Sequence, residues 1–144
     1  SINAKLAMEK LVDSLMGLSS GIEDRGALNI TQNSLQGFAD DVNQTIPGKG
    51  PVIGTKKHSL FKQKVDALSD PNIRTEQTFI NGEPKPYGTK GGVRVDIIEY
   101  LPDGTITVYD LKTGSATLTQ SRITQIKNVL RPKDPSSVTV IQIK

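Results

Sequence analysis

Two aspartates and a lysine in the second half of the chain have the types and spacing to do chemistry. Leu101-Pro102-Asp103-Gly104 is a tight-turn sequence between two β-rich runs, Val93 to Tyr100 and Thr105 to Lys112, because proline presets a turn and glycine supplies the left-handed residue after it. A three-residue loop there pairs Leu101 with Thr105 and so places Asp96 opposite Asp110. Facing residues on one side of a sheet lie about 4.5–5.5 Å apart at Cβ, and two carboxylates so close destabilise each other unless one is protonated or a cation lies between them. Aspartate is a poor strand residue, and a local rule broken twice at one place tends to mark a functional site. Lys112 is two residues past Asp110 and shares its face. Hard oxygen donors beside a mobile cationic group describe a site for a divalent cation and a polarised water.

The elements that must carry these residues can be read around them. Thr55 to Leu68 has helical spacing, with Leu60, Phe61, Val65 and Leu68 on one face and Lys56, Lys57, Lys62 and Lys64 mostly on the other; Asp70-Pro71 ends it. Ile73 to Ile80 alternates as a strand and closes on Asn81-Gly82, a strong turn pair. Its Glu76 is a third candidate carboxylate, with Ile73, Thr75, Gln77 and Phe79 expected on the face opposite to Glu76, Thr78 and Ile80. Glu99, three positions from Asp96, points to the other face and reads as structural. Leu118 to Leu130 is an amphipathic helix started by Thr117 or Thr119 and stopped before Pro132. Val138 to Ile143 is a last strand, which the helical crossover would lay parallel to the one before it. The fold class expected is α/β in the α+β sense, a central mixed sheet flanked by helices.

Upstream, Ile46-Pro47-Gly48-Lys49-Gly50-Pro51 suits neither a helix nor a strand interior. The expected organisation is a helical segment over 1–46, a linker over 47–53 and a domain over 54–144. Ile2, Leu6, Leu11, Leu15 and Leu18 describe one amphipathic helix, and Asn33 to Val42 a short second one.

Composition bounds the rest. The 144 residues contain no cysteine and no tryptophan, which excludes disulfide scaffolds and zinc fingers and makes any core aliphatic. No apolar run reaches the roughly 18 residues that span a bilayer. Eighteen basic and 15 acidic residues give a net charge of +3. The first 46 residues hold three basic and six acidic groups, so they carry −3 and the remainder +6, a balance that favours a polyanionic partner and equally fits a soluble basic domain.

Asp96, then Asp110-Leu111-Lys112 on the next strand, then a helix with Gln120 and Gln125, resembles the PD-(D/E)xK nuclease superfamily. The wider set of Gly54-Thr55-Lys56-Lys57-His58, Thr75-Glu76, Asn81-Gly82-Glu83, Tyr87-Gly88-Thr89-Lys90-Gly91, Val93-Arg94-Val95-Asp96 and Tyr109-Asp110-Leu111-Lys112-Thr113-Gly114 is similar to a nuclease domain at the C-termini of bacterial polymorphic toxins, including contact-dependent growth inhibition effectors. The resemblance covers residues 54–144 and departs from the pattern at Val95, where proline is usual, and on the first helix, which offers Asp66 in place of glutamate. It implies a restriction-endonuclease-like core and a metal-dependent endonuclease acting on DNA, or a tRNA-directed RNase on the same fold; a non-catalytic nucleic-acid-binding module is the further alternative. Catalytic roles fall to Glu76, Asp96, Asp110 and Lys112, with the three acids holding Mg²⁺, or Mn²⁺ or Zn²⁺. Substrate contacts fall to His58, Lys90, Arg94 and Gln125, with Gln120 fitting almost as well as Gln125 and a capping role open to His58. The segment from Lys85 to Lys90 reads either as a polar loop or as a substrate loop in which Lys90 meets phosphate and Tyr87 stacks on a base. The same resemblance implies delivery at the end of a secreted or surface-borne effector, action in the target-cell cytoplasm, no stable membrane insertion, and an acidic immunity protein as partner.

Overall fold

The computed structural model describes residues 30–144, so the helix expected over Ile2 to Leu18 lies outside the described residues. Two helices, α1 (Ile30–Thr45) and α2 (Pro51–Asp66), precede strands β1 (Ile73–Ile80), β2 (Glu83–Lys85), β3 (Val93–Tyr100) and β4 (Ile106–Leu111). Helix α3 (Gln120–Leu130), a 3₁₀ turn (Pro135–Ser137) and strand β5 (Val138–Ile143) complete the chain. The fold is α+β, with one five-stranded mixed sheet in the order β2-β1-β3-β4-β5. No helix among the described residues is long and apolar enough to cross a membrane.

The central hairpin has the register its turn dictates. Ile97 faces Tyr109, Ile98 faces Val108 and Tyr100 faces Ile106, with the Leu101 N–H donating to the Thr105 carbonyl at 2.9 Å. Asn81 and Gly82 both take left-handed φ, 49° and 81°, the pair of angles a two-residue hairpin turn needs, and they join β1 to the short β2 that the sequence did not reveal. The α3 crossover lays β5 parallel to β4, with Asp110 beside Gln142. Thr119 caps α3 by accepting from the Arg122 N–H at 3.1 Å, and Arg131 ends it in a left-handed conformation before Pro132.

Each face of the sheet carries its own apolar cluster. On one, Leu35, Ala39 and Val42 of α1 and Phe61 and Val65 of α2 pack on Ile73, Ile97, Tyr109, Leu111 and Ile143. On the other, Ile126 of α3 packs on Phe79, Val95, Ile98 and Val108. Burying a side chain of this size contributes about 1.5–3 kcal/mol, so α1 is a structural part of the sheet domain. That corrects the expected division at 47–53, since residues 30–45 share the core assigned to 54–144. The linker is also shorter than expected, because Pro51 opens α2: proline at a helix's first position loses no hydrogen bond and has φ preset. Lys57, expected in solvent, is buried and donates to the Gly48 carbonyl at 2.8 Å, tying the turn between α1 and α2 to the helix.

One glycine fixes how the loop after β2 meets the sheet. A Cβ on Gly92 would stand 2.4 Å from Thr78 Cγ2 and 3.1 Å from the Thr89 carbonyl oxygen. Thr78 is buried and has nowhere to go, so Gly92→Ala is expected to cost about 1–3 kcal/mol. A thermal midpoint lowered by several degrees would show it; an unchanged midpoint would mean that the loop is not held against β1.

Candidate active site

Glu76, Asp96 and Asp110 fall in one row across β1, β3 and β4, and pairing among these three strands is interrupted at that row. Thr75 pairs with Ile97 and Gln77 with Val95, which brackets Glu76 opposite Asp96, yet these two make no ladder pair. Ladder pairing of β3 with β4 also ends at Ile97 and Tyr109, one step before Asp96 meets Asp110. Glu76 takes a left-handed φ of 49°, rare for a residue with a side chain and costly unless the surroundings enforce it. Alternation breaks at the same level. Residues an even number apart on a strand share a face, but Ile73 and Phe79 of β1 pack into different clusters, as do Val95 and Ile97 of β3. The expected common face for Ile73 and Phe79 is therefore corrected: the phase of the strand shifts at Glu76.

At this break Asp96 turns its carboxylate onto the backbone of the next strand, and its Oδ2 accepts the Leu111 N–H at 2.7 Å. A side chain thus replaces a ladder partner, and the strands can separate at Asp110 without orphaning a buried donor. Burial pushes the Asp96 carboxyl up to about 6; His58 opposes that shift, while the Asp110 carboxylate adds to it. His58 Nδ1 lies 3.8 Å from Asp96 Oδ1. Asp110 is 2% exposed. Lys112 Nζ stands 2.9 Å from its Oδ2 as an ion pair, and that buried oxygen accepts no hydrogen bond.

The remaining expected residues divide between those at the carboxylates and those at a distance. An open cleft of about 800 Å³ is lined by Gly54, Thr55 and His58 of α2, Glu76, Tyr87, Arg94 and the stretch from Thr113 to Ala116. At Gly54 the helix comes so close to the chain after β4 that an added Cβ would lie 3.1 Å from Thr113 Oγ1. Glu76 is half-buried in this cleft and acts electrostatically on Lys62. Among the described residues no three histidine, aspartate or glutamate side chains gather into a set able to hold a metal ion; Glu76 lies in the row but does not close on the aspartate pair. Asp66 is occupied elsewhere, paired with Lys62 and accepting from Thr75 Oγ1 at 2.6 Å. Lys90 is exposed and does not line the cleft. Gln125 accepts from Arg122 Nη1 at 2.8 Å, and Gln120 donates to Thr124 at 3.4 Å.

Arg122 is the residue the sequence reading missed. It is held by Gln125, donates from Nη2 to the Arg94 carbonyl at 2.6 Å, and brings Nε to 4.0 Å from Asp110 Oδ1. The available signal was helical phase: Arg122 lies four residues before buried Ile126, on the face that α3 turns to the sheet. Glu99 matches its structural reading, being buried and accepting from Thr31 at 3.1 Å and Tyr109 at 3.2 Å on the far side of the sheet.

Two carboxylates, Asp110 buried and Asp96 half-buried, fit a hard divalent cation in donor chemistry: one has an oxygen without a hydrogen-bond partner and the other is costly to ionise alone. Mg²⁺ in particular binds through one or two carboxylates and completes its octahedron with waters and substrate phosphate oxygens. Compared with models of protein families, with curated proteins and with solved structures, the chain finds no match.

Proposed function

We propose that this chain is a metal-dependent endonuclease that hydrolyses phosphodiester bonds, with DNA as its first substrate. The observation that carries the reading is the facing pair Asp96 and Asp110 at the point where β3 and β4 part, with Lys112 Nζ 2.9 Å from Asp110. Its likeness in sequence to PD-(D/E)xK toxin nucleases, set by Asp96 and Asp110-Leu111-Lys112, points the same way.

In this reading Asp96 and Asp110 would hold Mg²⁺ or a similar ion, which would polarise the phosphate and lower the pKa of a bound water. Lys112, beside Asp110, turns its ammonium to the scissile phosphate and stabilises the negative charge that builds on the phosphoryl oxygens. Water attacks phosphorus in line with the departing ester oxygen; the proton it gives up passes to solvent and the ester oxygen takes one from solvent as the P–O bond breaks, so that one water is divided between the two products. His58, beside Asp96, and Arg94, across the cleft, bind flanking phosphates, while Arg122 positions Arg94 and Asp110. Glu76 gives the cleft wall its negative charge. The net charge of +6 beyond residue 46 supplies affinity for a polyanion.

Plasmid DNA and total RNA, each incubated with the purified protein in Mg²⁺, Mn²⁺, Zn²⁺ or EDTA, test the activity. Cleavage of DNA with metal and none in EDTA is the expected result. Cleavage confined to RNA would move the assignment to a ribonuclease on the same site. Binding with no cleavage in any metal would replace it with a nucleic-acid-binding module.

The biological role proposed is that of a toxin in competition between bacteria, carried by a secreted or surface-borne effector, acting in the target-cell cytoplasm and neutralised by an acidic immunity protein. A basic cleft presents the charge such a partner would complement. A small acidic protein encoded immediately downstream that binds the chain and blocks cleavage is the expected finding; a downstream product without effect on cleavage would count against the role.

A further inference from the structure

The lip of the cleft carries an aromatic residue for which the fold has no use. Tyr87 is 67% exposed and belongs to neither apolar cluster. An exposed aromatic on a loop is ordinarily free to move, but this ring is fixed on one side. The Arg94 guanidinium lies over it, 5.2 Å from the ring centroid, and Arg94 Nη1 donates to the Tyr87 hydroxyl at 2.8 Å.

Arg94 is itself on a strand, and its carbonyl is held by Arg122 of α3. The loop is tied internally: the Thr89 N–H and Oγ1 both donate to the Pro86 carbonyl, at 3.1 and 2.7 Å, and the Gly92 N–H donates to the Thr89 carbonyl at 3.1 Å. Gly92 then seats the loop against Thr78 of β1. The ring is thus an ordered, largely exposed platform held by a cation, on the wall of the cleft that it shares with His58, whose Nδ1 lies 3.8 Å from Asp96.

Flat apolar faces bordered by positive charge bind nucleobases by stacking, which is tolerant of sequence because every base has a π-face. A base inside a duplex has both faces covered by its neighbours, so such a platform takes a base only where the strand is unpaired or the base is turned out of the stack. The arginine behind the ring makes the clamp stiffer at little entropic cost, since it is ordered before substrate arrives.

We propose that Tyr87, backed by Arg94, is the specificity-determining residue of this cleft and stacks on an unpaired base beside the scissile phosphate, so that the preferred substrate is nucleic acid with a single-stranded, bulged or looped nucleotide. This rests on the nucleic-acid reading of the cleft, but it concerns which strand geometry is taken and is read without catalysis. Lys90, on the same loop but away from the cleft, has no part in it.

The test is binding in EDTA, by fluorescence anisotropy, of two labelled hairpins of the same stem, one fully paired and one with a single bulged nucleotide. The wild-type chain is expected to bind the bulged hairpin about tenfold more tightly, Tyr87→Ala to lose that preference, and Tyr87→Phe, which keeps the ring, to retain it. The ring is exposed, so an unchanged thermal midpoint is expected for both variants and shows that the fold is intact. A wild-type protein that binds both hairpins equally, or a preference that survives in Tyr87→Ala, overturns the proposal. Failure of the nuclease reading looks different: a preference that depends on Tyr87 with no cleavage in any metal leaves the platform standing and removes the hydrolysis, while metal-dependent cleavage without the preference does the reverse.

Discussion

Asp96→Asn is expected to yield a metal-free protein more stable than the wild type and unable to cut nucleic acid. Asp96 is the costly member of the pair. Its carboxyl is raised from 3.8 to about 6 by burial, with Asp110 adding to the shift. The sign follows from proton counting. Between pH 4 and 6 the folded chain holds a proton on Asp96 that the unfolded chain has given up, so stability from this group falls as pH rises through that window and stays low above it. The full loss is at most about 3 kcal/mol. Asparagine carries no charge to desolvate, its oxygen can still accept the Leu111 N–H, and its amide can donate toward Asp110. Urea unfolding in EDTA at pH 5 and pH 7.5 measures the effect: the wild type is expected to lose ground to the variant as pH rises. A variant less stable than the wild type at pH 7.5 would mean that the ionised carboxylate is not under strain. Divalent metal should restore the wild type and leave Asp96→Asn unmoved, because only the ionised pair gains a cation.

The second large effect is at Lys112, where two variants separate fold from chemistry. Lys112→Ala leaves the buried Asp110 carboxylate with only the Arg122 guanidinium, 4.0 Å away, to compensate it, and removing the nearer partner of a buried pair costs up to about 3–5 kcal/mol. A rate measured on that variant alone would confound unfolding with catalysis. Lys112→Arg keeps the positive charge beside Asp110, so most of the stability should survive. Its guanidinium is a planar fork in place of a compact, mobile ammonium, and it cannot turn from Asp110 to the phosphate in the same space. A fall in single-turnover rate of about 10²–10³ is expected, the size found when one preorganised donor to a transition-state oxyanion is removed. Wild-type rates in a stable Lys112→Arg protein would remove Lys112 from the chemistry.

How far the sequence led depends on whether a feature is coded locally. Pro102, Asp103 and Gly104 set the loop length, the loop set the register, and the register put Asp96 opposite Asp110; each step is short-range. Thr119 and Pro132 bounded α3 for the same reason. What was illegible is set by packing. Nothing in the sequence at Glu76 announces a left-handed backbone, since glutamate is not a residue that prefers it, and the shift of strand phase that follows could not be seen from an alternating pattern. Pro51 suits a break in the chain as well as the helix start it is, because proline marks both. The place of α1 in the core depends on Leu35, Ala39 and Val42 meeting β-strands far along the chain, a contact that spacing within α1 does not encode. Arg122 is hidden from the sequence because glutamine is the expected helix residue in the resembled motif, whereas here Gln125 holds Arg122 and Arg122 reaches toward Asp110.

The most direct test of the account is a side-by-side cleavage rate for the wild type, Asp110→Asn and Lys112→Arg, on a DNA or RNA that the wild type cuts, at equal concentrations of folded protein and in the same Mg²⁺. Asp110 carries a buried oxygen that accepts no hydrogen bond, and Lys112 the charge beside it. The prediction is metal-dependent cleavage by the wild type and rates at least about 10²-fold lower in both variants. Variants that cut as fast as the wild type, or cutting by the wild type that persists in EDTA, would contradict it.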